Sequence, residues 1–232
     1  MKSRQEIKAQ AKSAMAAQRG VAILTLLLIT LLGGVAGIIG FVVERLPLIG
    51  GLIVQLLNLA IAVIATPLSV NVNGSFINIY RGEKATASDP LSNLSVNFWR
   101  KLGGMLWMGL WAFLWSLLLI IPGIIKGIAY SMTPFILADC PSVTAKDALK
   151  LSMRMTDGHK GKLFIFSLSF LGWALLVPLT LGILAIVYVG PYASTAFAGY
   201  YIELRDEAIA SGRILPEELG LYGYEPEASS EE

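Results

Sequence analysis

Residues that carry catalytic or metal chemistry are scarce in this sequence. It contains one cysteine, Cys140, and one histidine, His159. A single cysteine excludes a disulfide within the chain, and one histidine beside it makes no metal-binding cluster. No serine, histidine and aspartate set and no phosphate-binding glycine loop is recognisable. We therefore predict that the protein is not an enzyme, and that it has neither a metal site nor a cofactor.

Charged residues are also few. They make up 15% of the chain, whereas 55% of its residues are hydrophobic, and the mean hydropathy is +0.67. Ordinary soluble domains contain about 25% charged residues. The composition is therefore typical of an integral membrane protein.

Long apolar runs predict where the chain crosses the membrane. A helix needs about 20 apolar residues to span a hydrocarbon core of about 30 Å. The runs predict an all-α membrane protein, a six-span helical bundle built from three transmembrane hairpins. The approximate spans are residues 21–43, 49–80, 102–121, 124–137, 163–177 and 181–201, within a transmembrane domain of residues 21–204.

The three hairpins share a common plan. Each has a proline at its turn and a second proline in the returning helix. Each also follows a polar segment of helical character, at residues 3–18, 90–99 and 144–156. This plan predicts an amphipathic interfacial helix before each hairpin and a pseudo-threefold bundle, although unrelated hairpins also share some of these features. The turn prolines are Pro47, Pro122 and Pro178, and the helix prolines are Pro67, Pro134 and Pro191.

The basic residues predict the orientation. All of the 18 lysines and arginines except Arg45 and Lys126 fall in segments that would share one side of the membrane. Because lysine and arginine are enriched in cytoplasmic segments, we predict a multi-pass protein of the cell membrane with both termini in the cytoplasm. Residues 1–20 form a cytoplasmic amphipathic helix in this scheme, and residues 205–232 form an acidic cytoplasmic tail.

Several motifs are distributed over about residues 67–201 and are most specific in the second half of this range. They occupy positions 81–83, 121–126, 130–132, 134, 137–139, 148, 152, 154, 155, 158, 160, 163, 164, 168–173, 180–182, 191 and 192. These motifs resemble those of the bacterial integral membrane family catalogued as domain of unknown function 975. The resemblance implies a polytopic membrane protein and no particular biochemical role.

Lys126 is the most informative single residue, because an ionisable side chain inside a span is costly and usually faces protein or water. Its long stem allows the ammonium to reach the outer interface or a structural carbonyl. Alternatively, it forms a solute or lipid-headgroup site with Tyr130 and the carbonyls freed by Pro134. We add Trp173 and Tyr192, from the family-like motifs, to this candidate ligand or lipid site.

Two further sets of charged residues are candidates for interactions at the cytoplasmic side. The acids near the ends of the returning helices are predicted to converge, with pairing to arginine favoured over metal binding. The basic residues of and after segment 144–156 are predicted to contact anionic lipid, with Leu149, Met153 and Met155 as apolar anchors. The carboxylates are Glu83, Asp139 and Glu203, and the basic residues are Lys146, Lys150, Arg154, Lys160 and Lys162.

Asparagines near the end of the second span permit two interpretations. Asn71, Asn73 and Asn78 either line a water-filled vestibule or mark an extension of the helix into the cytoplasm. The sequence does not distinguish between them.

The favoured function is that of a noncatalytic interaction or scaffold protein. It would engage anionic lipids of the cytoplasmic leaflet, or a membrane-protein partner, through basic surface helices. A homo-oligomer is an additional possibility, and we expect no nucleic-acid partner. The alternative is a small-solute transporter or lipid-handling protein that uses proline-broken helices and Lys126.

Overall fold

The computed structural model describes residues 2–43 and 50–221; 82% of these described residues are helical, and none of them lies in a strand. The predicted all-α class is therefore confirmed. The α-helices are α1 (Arg4–Ala17), α2 (Arg19–Val43), α3 (Gly50–Arg81), α4 (Asp89–Ser92), α5 (Phe98–Leu118), α6 (Ile120–Tyr130), α7 (Thr133–Asp139), α8 (Ala145–Thr156), α9 (Lys160–Leu168), α10 (Leu171–Leu176) and α11 (Gly190–Ala210). Short 3₁₀ helices lie at Pro178–Thr180 and Pro216–Leu219, and a π-helical segment lies at Ala185–Val189.

Among the described residues, four helical segments are long and apolar enough to cross a membrane, and less than half of the most apolar stretch of each is buried inside the protein. The bent pair formed by α1 and the first part of α2, with an angle of 89° between them, makes a fifth if it counts as one broken span. An apolar surface of this extent is typical of a membrane protein. The four segments are Gly51–Arg81, Phe98–Leu118, Ile121–Asp139 and Lys160–Thr180.

The six predicted spans are thus represented by four or five apolar segments. The sixth predicted span, 181–201, is not one of them, because the chain there forms the π-helical segment and then the first half of α11. The second half of α11 carries Glu203, Arg205, Asp206 and Glu207, which lower its hydropathy. The predicted turn at Pro47 lies outside the described residues.

The buried core lies where α1, α3, α7, α8 and α11 meet. Phe76, Ile136, Met155 and Tyr201 are among its fully buried side chains. Gly199 permits the close approach of α11 and α3, because a Cβ atom at this position would overlap the ring of Tyr80. Helices α1, α4 and α8 and residues 201–210 of α11 lie at one end of the molecule. We call it the basic end.

The first predicted amphipathic helix is present as α1. Ser3 and Glu6 form a capping box at its start, in which the Ser3 hydroxyl accepts from the Glu6 amide at 3.2 Å. Ile7, Ala11 and Met15 recur every four residues and are buried against α3 and α11. Their burial fixes α1 on the protein by its apolar side.

The prediction of a second amphipathic helix at residues 90–99 is wrong. Only α4 forms there, and turns follow it until α5 begins at Phe98. Asn97 has a left-handed backbone with φ of 54°, a conformation that asparagine tolerates better than most residues. The polar turn residues of this segment therefore prevail over its weak helical periodicity.

The third amphipathic helix is present as α8. Thr144 caps it, its hydroxyl accepting from the Asp147 amide at 3.2 Å, and hydrogen bonding to Thr144 and Lys150 lowers the pKa of Asp147. The predicted lipid anchoring by Leu149 and Met155 is wrong, because both side chains are buried in the protein. The apolar face of α8 packs against α5, α6, α7 and α11.

The segment predicted as a tail from residue 205 is structured at its start. Helix α11 continues to Ala210, and the 3₁₀ helix Pro216–Leu219 follows. Glu218 of this helix pairs with Arg154 of α8 at 2.6 Å, and this contact lowers the pKa of Glu218. Residues 222–232 of the acidic tail lie outside the described residues.

Candidate functional site

The site begins with the helix break that Pro134 causes. Proline has no amide hydrogen and cannot continue the backbone hydrogen bonding of a helix, so α6 ends at Tyr130 and α7 begins at Thr133. Ser152 of α8 lies over the break, where its hydroxyl donates to the Ala129 carbonyl at 2.7 Å and accepts from the Met132 amide at 3.2 Å. The backbone groups near Pro134 are therefore satisfied by α8 rather than by Lys126.

A groove lies between α6 and the surface formed by α8 and the start of α9. Its volume is about 470 Å³. Lys126 lies one helical turn before Ala129, so the docking of α6 on α8 brings Lys126 beside the basic residues of α8 and α9. We call this site the basic groove; it is lined by Ile125, Lys126, Ala129, Lys150, Met153, Arg154, Asp157 and Lys160.

The groove has four cationic side chains and one carboxylate in its lining. Lys126 stacks over Trp115, with its Nζ atom 5.0 Å from the ring centroid, and makes no ion pair with any residue in the described ranges. Lys150 pairs with Asp147 at 3.2 Å, and Lys160 pairs with Asp157 at 3.1 Å. The lining therefore carries an excess of positive charge above an apolar floor.

Tyr130 and Pro134 lie next to this groove but do not line it. Tyr130 is buried in a small cluster with Ala129 and Leu149, beside Trp115. Pro134 lies in the first turn of α7. Both residues position the end of α6 beneath α8, and only Lys126 of the three reaches the groove.

Trp173 and Tyr192 belong to a different aromatic cluster. Trp173 contacts Tyr188, which contacts Tyr192, and Tyr192 contacts Phe170. Lys8 of α1 covers this cluster, with its Nζ atom 4.4 Å from the Phe170 ring centroid. The five residues of the predicted ligand site thus divide between two places.

The other basic residues of the predicted lipid surface flank the groove. Lys146 is exposed and stacks over Trp107, with its Nζ atom 5.5 Å from the ring centroid. Lys162 is exposed and does not line the groove.

The predicted cluster of three carboxylates does not form. Asp139 pairs with Arg81 at 2.8 Å and with Arg205 at 3.0 Å. Glu203 pairs instead with Lys2 at 3.1 Å. Glu83 is exposed, and its backbone carbonyl accepts from the Gln18 side chain. No group of three metal-ligating side chains occurs in residues 2–43 and 50–221.

Sequence reasoning missed a second polar site, a cavity between α3, α4, α5 and α7. Arg100 and Lys101 line it together with Asn71 and Asn78. Of the three asparagines that permit either a vestibule or a cytoplasmic extension, Asn71 and Asn78 line this cavity and Asn73 does not. The two basic residues were used only to orient the chain, because a pair of cations at the start of a span is ordinary in a membrane protein.

A comparison of the whole chain with models of protein families agrees with the motifs found in the sequence. A model of the family described as "Protein of unknown function (DUF975)" matches residues 1–126 and 117–208. The chain belongs to this family. The DUF975 match confirms the resemblance in the motifs and extends beyond residues 67–201 to include α1, α2 and most of α11. No curated protein and no solved structure matches the chain significantly.

Proposed function

We propose that this protein is a noncatalytic, multi-pass membrane protein that binds anionic lipid through the basic groove. The proposal rests on one observation: Lys126 of the apolar helix α6 lines the same groove as Lys150 and Arg154 of α8 and Lys160 of α9. One cation in an apolar run is commonly structural. Four cations around one groove with an apolar floor suit a phosphate that is attached to an acyl chain.

The surroundings of the groove support a lipid as its ligand. Ile121, Ile124 and Ile125 of α6 are exposed and lead along the helix toward Lys126. An acyl chain lying along these side chains would place its headgroup at the level of the cations. The apolar side chain of Met153 is half-buried in the floor of the groove.

Existing ion pairs leave the cations available. The pairs of Lys150 with Asp147 and of Arg154 with Glu218 are on the surface, where an ion pair contributes about 0 to 1 kcal/mol. A phosphate can replace the single contact of Lys150 at little cost, whereas Arg154 contacts both carboxylate oxygens of Glu218 and donates to the Arg213 carbonyl, so a phosphate would share this side chain with them. Lys126 needs no replacement, because its described contact is with the Trp115 ring.

We also propose the six-span topology in a bacterial cell membrane, with the basic end and both termini in the cytoplasm. Support comes from the gathering of α1, α8 and the charged half of α11 at one end. The alternative of a transporter that uses Lys126 has weaker support, since Lys126 lines an open groove beside a surface helix rather than a cavity between spans.

The topology predicts different labelling at two exposed positions. In a Cys140→Ser background, Ser88→Cys should resist a membrane-impermeant maleimide in intact cells, and Leu181→Cys should react. Both residues are exposed in the structure. The background is clean because Cys140 is the one cysteine of the sequence, so each variant carries a single thiol at the introduced position. Labelling of Ser88→Cys before permeabilisation would contradict the orientation.

The lipid proposal predicts a loss of preference for phosphatidylglycerol over phosphatidylcholine in the Lys126→Gln/Lys150→Gln variant. Each charge near an anionic surface contributes about 1 kcal/mol, so the loss of two charges should cost about 2 kcal/mol, which is about a 30-fold loss of preference. Native mass spectrometry of the protein in a non-ionic detergent with equal amounts of both lipids measures this preference.

The matched control is Lys12→Gln/Lys162→Gln, which removes the same charge from two exposed residues outside the groove. It should keep most of the preference. An equal loss in both variants would show that net charge, and not the groove, selects the lipid, and the proposal would then be abandoned.

A further inference from the structure

A polar cavity lies at the basic end, apart from the basic groove. It occupies about 380 Å³ where α3, α4, the start of α5 and the end of α7 meet. Four amide side chains line it: those of Asn71, Asn78, Asn93 and Asn97. Amide groups offer both donors and acceptors, which is the chemistry that recognises hydroxyl groups.

Lys101 is the central cation of this cavity. It is only 6% exposed, and its Nζ atom donates to Asn71 Oδ1 at 2.6 Å and to the Asn93 carbonyl at 3.4 Å. Asn71 is held in this orientation because its Nδ2 atom donates to the Pro90 carbonyl at 2.8 Å. Both acceptors of Lys101 are neutral, and two of its three donor hydrogens are used.

Arg100 adds a second cation with neutral partners. Its guanidinium donates to the carbonyls of Leu137 at 2.6 Å, Val143 at 2.7 Å and Cys140 at 3.2 Å. Its Nε atom is buried and has no hydrogen-bond partner within the described residues. Neither Arg100 nor Lys101 has a carboxylate partner among the described ion pairs.

The remaining charges of the lining do not neutralise these two. Arg81 pairs with Asp139, which also pairs with Arg205 from outside the cavity. Asp89 accepts from the Thr86 amide at 2.7 Å and makes no ion pair with Arg100 or Lys101 among the described residues, so the three cations of the lining exceed its two carboxylates by one charge. A buried cation without a counter-ion is costly, so a cavity with this excess of positive charge favours an anion.

We propose that this cavity binds a small hydroxylated phosphate of the glycerol phosphate type. The phosphate would neutralise Lys101 and Arg100, and the hydroxyl groups would bond to the asparagine amides. Such a group exists as a free solute and as the headgroup of an anionic lipid. The exposed Trp99 at the start of α5 marks the level of a membrane interface, where both sources are accessible.

The test is calorimetric titration of the detergent-solubilised protein in a phosphate-free buffer. The probes are inorganic phosphate, glycerol 3-phosphate, dihexanoyl phosphatidylglycerol and dihexanoyl phosphatidylcholine. We expect binding of glycerol 3-phosphate or of the glycerol lipid, and stronger binding than of inorganic phosphate. Binding of glycerol 3-phosphate would identify the ligand as a free solute, and binding of dihexanoyl phosphatidylglycerol alone would identify it as a lipid headgroup. Absence of heat with every phosphate probe would overturn the proposal.

Two variants locate the binding. Lys101→Met should weaken it at least tenfold, whereas Lys84→Met, at an exposed lysine outside the lining, should not. Asn71→Asp supplies an internal counter-ion at the oxygen that Lys101 already contacts, so it should also weaken binding at least tenfold; it keeps the contact between α3 and α5 and loses the bond from Asn71 Nδ2 to the Pro90 carbonyl. It tests the cavity even if Lys101→Met does not fold. An unchanged affinity in Asn71→Asp would reject the site.

The groove variant Lys126→Gln/Lys150→Gln separates this inference from the proposed function. Its binding of dihexanoyl phosphatidylglycerol should fall only by the share that the groove contributes, but it should bind inorganic phosphate and glycerol 3-phosphate as the wild type does, because neither residue lines the cavity. A parallel loss would assign the binding to the groove and would overturn the inference.

Discussion

Replacing Asp139 with alanine is expected to lower the free energy of unfolding by about 3 to 5 kcal/mol, the usual cost of removing one partner of a buried ion pair. Asp139 is 7% exposed and contacts Arg81 and Arg205. It also accepts from the Tyr201 hydroxyl at 3.0 Å. One carboxylate therefore joins α3, α7 and α11 at the basic end, and its loss removes the acidic partner of Arg81 and one of two described acidic partners of the buried Arg205, the other being Asp206.

Reversible unfolding in mixed micelles of SDS and dodecyl maltoside, followed by tryptophan fluorescence, measures this effect. Asp147→Ala is the matched control, because Asp147 is exposed and its ion pair with Lys150 is on the surface. The control should cost no more than about 1 kcal/mol. Equal effects of the two substitutions would show that the Asp139 network does not hold the helices together.

The sequence predicted the local features that depend on neighbouring residues. The polar segments of helical character at residues 3–18 and 144–156 correctly located α1 and α8. The same approach failed at residues 90–99, because the periodicity was weak and the asparagines favour turns. Apolar length predicted the membrane segments but not the irregular backbone of residues 177–189, which depends on packing.

The orientation of α8 shows why tertiary contacts limited the prediction. An amphipathic helix beside a membrane can bury its apolar face in lipid or in protein, and its sequence is the same in both cases. Here the helix break at Pro134 exposes backbone groups that need partners, and α8 supplies Ser152. The apolar face of α8 consequently packs on the protein, and its basic residues remain at the surface.

The candidate site was predictable in part for the same reason. Lys126 attracts notice because it interrupts an apolar run, and Lys150 and Arg154 because they lie on one face of a helix. Their meeting depends on the docking of α6 against α8, which no local pattern contains. Trp173 and Tyr192 were grouped with Lys126 because of family-like motifs, and shared motifs do not establish contact in space.

Ser152 links the fold to the proposed lipid site, and its replacement gives the second large effect. Ser152→Ala should lower the free energy of unfolding by about 2 to 3 kcal/mol, because each buried backbone group without a partner costs about 1 to 3 kcal/mol. The Met132 amide would lose its hydrogen-bond acceptor, the Ser152 hydroxyl oxygen. The Ala129 carbonyl would retain only the 3.4 Å contact with Thr156.

The same unfolding measurement tests this prediction, with Ser13→Ala as the control. Ser13 is exposed and donates to the Gln10 carbonyl within its own helix, so its replacement should change stability by less than about 0.5 kcal/mol. Adding Thr156→Val to Ser152→Ala should deepen the loss, since the remaining contact to Ala129 disappears. Because α8 carries Lys150 and Arg154, the double variant should also lose preference for phosphatidylglycerol with every groove cation still present. A variant that is destabilised but keeps its full lipid preference would show that the cations bind lipid without the docking of α6 on α8, and would separate the fold of this region from its proposed function.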